Sequence, residues 1–346
     1  MFTTRRAQAR RRLSAAAVAL LAAVTGAVVN ATPAAASAVN NNANFLQVYV
    51  NNVENLLTAG ESCAGDWQDL IYYMKRQDYS PDLFLVQQID PQGELPALLN
   101  KMNTELAGVY KAVVAQTHPV FDDTPCGAEK GYQSNAIIYR EGRFDLVGAK
   151  SAWQSYQPGS ANCAGWAKLS RSINVAQRLR DQVSGKEIAV GSIHWPWHNL
   201  DVSPSSCPNQ NAALTANKMA AFTGAQLYIA GGDFNQKDRS GGAWRGWYTT
   251  MHGTYGYTDA GFDDCEEPEQ PGSIFDCTLS KHWTHGGGAA RIDYLFAKRP
   301  TGQANMGYEH TVEYNEGDAA DDHYTGTDNP DLHYSSHRAI RARIYY

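Results

Sequence analysis

One stretch constrains the fold more than any other: Leu227-Tyr-Ile-Ala-Gly-Gly-Asp-Phe-Asn-Gln236. A short apolar run ends in two glycines and then presents an acid and an amide, Asp233 and Asn235. Branched and aromatic residues in a run this short read as a buried strand, and glycines at its end permit a tight turn. The acid and the amide, two apart, then share one side of a nearly extended turn. Such a pair can hold an ion, a water or a phosphate at the carboxyl edge of a sheet. The plainer alternative is a strand followed by an Asx-turn.

The same event recurs along the chain. Phe45–Val50 alternates like a strand, with Leu46, Val48 and Val50 on one face, and runs into Asn52 and Glu54. Asp82–Val86 is a nearly continuous apolar strand that delivers Gln88. Glu187–His194 ends on His194, Asp293 sits inside Arg291–Lys298, and His337 precedes the late strand Ala339–Tyr345. Asp66–Met74, Glu94–Leu106 and Gln210–Thr223 read as helices, and Trp244–His252 as a short helix or turn. Lys111–Ala115 and Ser172–Arg180 are further strands, while Asn135–Arg140 and Phe144–Ala149 read as paired strands around Glu141-Gly142. Strands outnumber helices, which favours sheet packed on sheet with helices outside over a doubly wound nucleotide fold.

Polar groups at the ends of six apolar strands converge on one cleft at a sheet edge. A carboxylate such as Asp293, surrounded by apolar strand residues, needs a partner, and His337 is a natural one. An Asp–His pair orients the imidazole and favours its protonated form. The two tryptophans of His194-Trp-Pro-Trp-His198 read either as core or as a platform for a sugar, a base or a lipid, and Pro196 argues against a helical His/His metal pair. His282 and His285, before three glycines, read as loop residues.

In order and spacing the chain resembles the endonuclease/exonuclease/phosphatase superfamily. The resemblance is carried by Val50-Asn-Asn-Val-Glu-Asn-Leu56, Pro81-Asp-Leu-Phe-Leu-Val-Gln-Gln88 and Ser134-Asn-Ala-Ile-Ile-Tyr139. It continues through Gly191-Ser-Ile-His194, Gly232-Asp-Phe-Asn235, Arg291-Ile-Asp-Tyr294 and Tyr334-Ser-Ser-His-Arg338. It implies an α+β, four-layer α/β sandwich of the deoxyribonuclease I-like kind, two packed mixed sheets flanked by helices. It further implies that Asn52 and Asn235 position the phosphate or metal, and that Asp233 orients or deprotonates the attacking water. His337, held by Asp293, and His194 would bind and polarise the phosphoryl oxygens, normally beside a magnesium ion.

The resemblance breaks at two metal-binding positions. A glutamate is replaced by Gln88 and an aspartate by Ser336, so two negative charges are gone from a site for a hard cation. Glu54, Gln88 and Asp233 are the remaining expected ligands for Mg²⁺ or another divalent ion. Three readings follow: a phosphodiesterase, foremost an endonuclease; a catalytically impaired relative that binds a ligand in the old cleft; and a phosphoesterase for lipids or small molecules.

Composition bounds the partners. The chain opens with Arg5, Arg6, Arg10, Arg11 and Arg12, an apolar run from Ala15 to Val29, and a small-residue stretch ending in Ala36-Ser-Ala38. This is the layout of a secretory signal cleaved near Ala38, and Arg10-Arg-Arg-Leu13 leaves room for twin-arginine export. Residues 1–38 are therefore set aside, leaving residues 39–346 as one domain and a secreted protein. Removing five arginines takes the formal charge from -6 to -11, against a polybasic anchor to membrane or nucleic acid. The expected partner is nucleic acid or another phosphodiester, with no stable membrane anchor and no obligate protein partner. All six cysteines lie after the leader, which favours up to three disulfides, Cys265 with Cys277 being the easiest local pair.

Overall fold

The computed structural model describes residues 37–54, 67–121, 131–158, 163–197, 206–240, 243–261, 283–285, 290–312, 316 and 334–346. The first half runs β1 (Phe45–Asn52), α1 (Trp67–Lys75), β2 (Leu83–Ile89), α2 (Glu94–Glu105), β3 (Tyr110–Val114), β4 (Ser134–Arg140) and β5 (Phe144–Gln154). A small hairpin follows, β6 (Tyr156–Pro158) and β7 (Cys163–Trp166), then β8 (Ile173–Asp181), β9 (Glu187–His194), α3 (Cys207–Ala220) and β10 (Leu227–Asp233). The remainder is β11 (Arg239–Ser240), β12 (Ala243–Trp244), α4 (Gly246–Thr249), β13 (Thr258–Asp259), β14 (Asp293–Lys298), β15 (Asn305–Thr311) and β16 (Ile340–Tyr345).

Two six-stranded mixed sheets form the body, in the orders β15-β16-β1-β2-β4-β3 and β13-β14-β10-β9-β8-β5. Strand alternation sorts their side chains into layers. Leu46, Val48, Val50 and Leu85 of one sheet meet Val190, Ile229 and Leu295 of the other in the central core. On the outer face of the first sheet, Tyr49, Phe84 and Val86 pack under Leu70, Met74, Leu98 and Met102 of α1 and α2. On the outer face of the second, Ala189, Ile193, Ala230 and Phe296 pack under Ala212, Ala216, Met219 and Trp247. This is the expected four-layer sandwich.

Two local expectations change. The glycines of β10 do not turn the chain, because the strand continues through them to Asp233. Gly231 leaves room for the inter-sheet core, where a Cβ would lie 2.7 Å from a methyl of Val50. Gly232 has φ +153, and a Cβ there would lie 1.8 Å from the backbone oxygen of Ile193. Their small size thus serves close packing on both sides of the strand.

Nor do β4 and β5 pair as a hairpin. Both edges of β4 are taken, by β2 and β3, while β5 pairs with β8 in the other sheet. Glu141-Gly142 is therefore a corner between sheets, and Arg143 explains why. Its buried guanidinium bonds Asp82 at 2.9 Å, Asp181 at 2.9 Å and the carbonyls of Asn40, Asn42 and Phe45. Five donors on one planar group are satisfied at once, and that ties the corner, both sheets and the first strand together.

The packed body reaches back to Ser37, whose N–H donates to the Lys75 carbonyl and whose hydroxyl meets that of Ser80 at 2.5 Å. Cys163 is disulfide-bonded to Cys207, fastening the β6–β7 hairpin to the start of α3. The Cys265–Cys277 pairing lies outside the described residues. Among the described residues no helix is long and apolar enough to cross a membrane.

Replacing Arg143 by Met leaves Asp181 without its guanidinium partner and removes one of two from Asp82. The expected loss is about 3–5 kcal/mol in urea unfolding. A loss below about 1 kcal/mol would show that the corner does not depend on this charge.

Candidate active site

Parallel pairing sends the strand ends to one edge. Asn52 of β1 lies opposite Gln87 of β2, and Asp233 of β10 opposite both His194 of β9 and Asp293 of β14. His337 arrives just before β16, which pairs with β1. All of the predicted residues in these strands are thereby brought to the rim between the two sheets, and nearly all of them are buried.

Asp233 is the hub. Its Oδ1 accepts the backbone N–H of Asn235 at 2.8 Å, which is the Asx-turn of the plainer reading. Its Oδ2 accepts the amides of Asn52 at 3.0 Å and Asn235 at 3.1 Å. The same oxygen lies 3.5 Å from His194 Nε2 and 3.8 Å from His337 Nε2. Asn235 also donates to the Trp195 carbonyl, which fixes its amide. The turn and the site are thus one arrangement.

His337 Nδ1 lies 2.8 Å from Asp293 Oδ2. Asp293 is held in turn by Thr284, whose hydroxyl accepts its N–H at 3.0 Å. Ser335 accepts the His337 N–H and donates to the Asn52 carbonyl. Burial opposes charge on His337, but the Asp293 and Asp233 carboxylates outweigh it and raise its pKa to about 9. Burial and the Asp293 charge push Asp233 upward.

His194 is the opposite case. Its Nδ1 lies 2.9 Å from the Arg171 carbonyl, which can only accept, so Nδ1 carries the proton and Nε2 keeps a lone pair. Burial, with the Arg171 and His337 charges, lowers its pKa to about 3. His194 thus presents an acceptor to the cleft, where His337 presents a donor.

The metal-binding half differs from what the resemblance implies. Gln88 Oε1 is taken by the Asn52 amide at 2.6 Å, and its Nε2 donates to Gln133 at 3.1 Å. Ser336 donates to Glu54 at 3.4 Å. Ligand-type atoms of Asp233, Asp293 and His337 lie within 4.8 Å of one another. Both Asp233 oxygens accept N–H groups, as the carboxylates of metal sites also commonly do. Glu54, Gln88 and Asp233 thus offer a hard cation two carboxylates and one amide oxygen that Asn52 already occupies, a weaker donor set than the resemblance implies.

Two non-glycine residues among those described have left-handed backbone, Gln88 at φ 57 and Asn235 at φ 53. Asn tolerates this conformation, whereas Gln seldom adopts it, and here a bulge in β2 imposes it. Both strained residues lie at the site, where such strain is characteristically kept.

These groups open onto a cleft of about 660 Å³, lined by Glu54, Gln88, His194, Asp233, Asn235 and His337 together with Arg171, Lys237, Arg245 and Trp197. His285 lines it too, its ring centroid 4.8 Å from that of His337. Reading it as a loop residue missed this, since only its position one residue after Thr284 links it to Asp293. His282 lies outside the described residues.

With the geometry in hand, the class is a two-sheet α/β sandwich carrying an Asp/His/Asn cluster at one sheet edge. No protein-family model matches the sequence, and no curated protein does. Solved structures do. The human Nocturnin catalytic domain with bound sulfate is 16% identical, covers 88% of this chain and 94% of its own, and superposes with a TM-score of 0.53. A family protein from Leptotrichia buccalis is 14% identical over 87% of this chain and 100% of its own, with a TM-score of 0.55. A mannosyl-6-phosphatase from Bacteroides thetaiotaomicron is 18% identical over 87% and 100%, with a TM-score of 0.50. The chain has the fold of the endonuclease/exonuclease/phosphatase superfamily.

Two measurements check the electrostatics. Histidine NMR titration should show His337 protonated until about pH 9, and Asp293→Asn should lower that value, because the largest charge opposing burial is removed while Asp233 remains. An unchanged titration would break the pair. The raised pKa of His337 stabilises the fold fully below 6.5, and that contribution is lost as pH rises through about 9. For His194 the sense reverses: its contribution is present above 6.5 and lost as pH falls toward 3. Separately, Gln88→Glu with Ser336→Asp should create calorimetrically measurable Mg²⁺ binding. No gain would mean that the cleft is remodelled beyond those two side chains.

Proposed function

We propose that this protein is an exported phosphodiesterase that cleaves nucleic acid, and that its chemistry is carried by two histidines in opposite protonation states. The supporting observation is that His337, tied to Asp293, and His194, tied to the Arg171 carbonyl, face the same oxygen of Asp233 at the cleft. Groups whose environments push their pKa values apart are the natural acid and base of a site. A phosphate between them would meet the N–H of His337 on one side and the lone pair of His194 on the other.

In the proposed reaction His194 Nε2 takes a proton from water as its oxygen forms a bond to phosphorus. The bond from phosphorus to the leaving oxygen breaks, and His337 Nε2 gives that oxygen its proton. Asp233, its oxygens already accepting Asn52 and Asn235, holds the two histidines in register rather than deprotonating water itself. Asp293 sustains the charge on His337 as negative charge grows on the non-bridging oxygens.

Charge favours a polyanion over a lipid headgroup. The protein is net acidic, yet Arg171, Lys237 and Arg245 line the cleft, so the field there attracts phosphates beyond the one cleaved. A zwitterionic headgroup such as that of sphingomyelin, one phosphate beside one quaternary ammonium, gains less from this wall. Two structural neighbours are consistent with phosphoester chemistry on this fold: a mannosyl-6-phosphatase, and a Nocturnin domain holding sulfate. Gln88 and Ser336 favour one other reading, a phosphate-binding relative without turnover.

A panel of DNA, RNA, sphingomyelin and bis(p-nitrophenyl) phosphate, each with metal ions or chelator, decides between them. The expectation is cleavage of nucleic acid and of the chromogenic diester that survives chelator. His337→Ala and His194→Ala should each lower kcat about 10²–10⁴-fold. In the free enzyme, kcat/KM should fall as pH rises through about 9, where His337 loses its proton. No turnover above the His337→Ala background sinks the enzyme reading, and phosphate binding without turnover would favour the other.

Export rests on the arginine-rich leader, the following apolar run and the disulfide. Because Ser37 is bonded into the body, cleavage after Ala34-Ala-Ala36 would preserve those contacts and cleavage after Ala38 would not. Sequencing the exported protein should find Ser37 at its amino end.

A further inference from the structure

The two tryptophans that follow His194 part company. Trp195 is fully buried against Phe234 and Trp247, whereas Trp197 is 69% exposed at the mouth of the cleft. A second large exposed ring is carried by the β6–β7 hairpin. Trp166 is 54% exposed and lies on Tyr156 with ring centroids 4.4 Å apart and planes 12° from parallel. Both rings sit on the β6–β7 hairpin, whose flanking residues Gln157 and Leu169 themselves line the cleft.

This hairpin is braced from below. Asn211 of α3 accepts the Tyr156 N–H at 2.7 Å and donates to its carbonyl at 3.2 Å, and the disulfide Cys163–Cys207 joins the returning strand to the same helix. Stacked, fixed rings held out into water cost apolar exposure that folding alone would remove, so a flat ligand face is their natural counterpart.

We propose that Trp166 and Trp197 form a stacking subsite for unpaired nucleobases next to the scissile phosphate, making the protein selective for single-stranded nucleic acid. The inference rests on the phosphodiesterase reading and adds the substrate's strandedness to it. Charge selects this occupant. Exposed aromatic rings together with Arg171, Lys237 and Arg245 in the cleft wall match a chain that carries both bases and phosphates. A paired base hides its faces within the duplex, so only an unpaired one can stack on a fixed ring.

The test uses the full exported protein carrying His337→Ala, with fluorescein-labelled single-stranded, duplex and abasic oligonucleotides read by anisotropy. Trp166→Ala and Trp197→Ala should each weaken single-strand binding about 5- to 100-fold. They should leave duplex and abasic binding within about twofold, and Trp166→Tyr should retain most of the affinity. Unchanged single-strand affinity, or an equal loss on duplex and abasic strands, overturns the subsite. So does Trp-dependent sedimentation with phosphatidylcholine vesicles in place of oligonucleotide binding. Absence of diester turnover would count against the phosphodiesterase reading alone, since the binding measurements do not depend on it.

Discussion

The fold depends on how two sheets are joined at their ends. Between them the contact is apolar, and apolar contact sets no register. The polar links at the two ends do. At one end Arg143 draws Asp82, Asp181 and the backbone of the first strand into a single buried cluster. At the other, Asn52 of one sheet bonds Asp233 of the other, and His337 bonds Asp293. Gln87 and Ser192 add a buried bond between the sheets at 2.9 Å. A buried polar group that loses its partner is costly, so any sliding of sheet on sheet is penalised at both ends at once.

The candidate site is therefore part of the seam, and its chemistry inherits the seam's rigidity. Both histidines have Nδ1 committed to fixed acceptors, one a carboxylate and one a carbonyl. That difference, with burial opposing charge on His194 and Asp233 adding to Asp293 at His337, favours a neutral imidazole in one and a cation in the other. Gln88 fits this scheme better than a carboxylate would without a cation beside it. Its amide accepts from Asn52 and donates to Gln133 without adding negative charge near Asp233, whose ionisation burial already opposes.

Much of this was legible in the residues. Asn52, His194, Asp233, Asp293 and His337 each close or open an apolar strand, and period-two alternation shows which faces meet. Other features left no such trace. Asn135–Arg140 and Phe144–Ala149 have the pattern of a hairpin, and alternation cannot tell two strands of one sheet from two strands of different sheets. The distinction lies in Arg143, whose partners are distant in sequence. Gly231 and Gly232 look like a turn, but their role is set by atoms of Val50, Leu85 and Ile193 across the packing. The state of His194 was hidden for a similar reason, because a backbone carbonyl, which every residue has, chooses its tautomer.

The disulfide divides the molecule by what each part needs. The catalytic cluster is held by hydrogen bonds and sheet packing, none of which involves sulfur. The aromatic hairpin is held by a disulfide and by Asn211. In a reducing compartment the first would persist while the second loosened, leaving a cleft with its reactive groups intact and its discrimination between strands blunted.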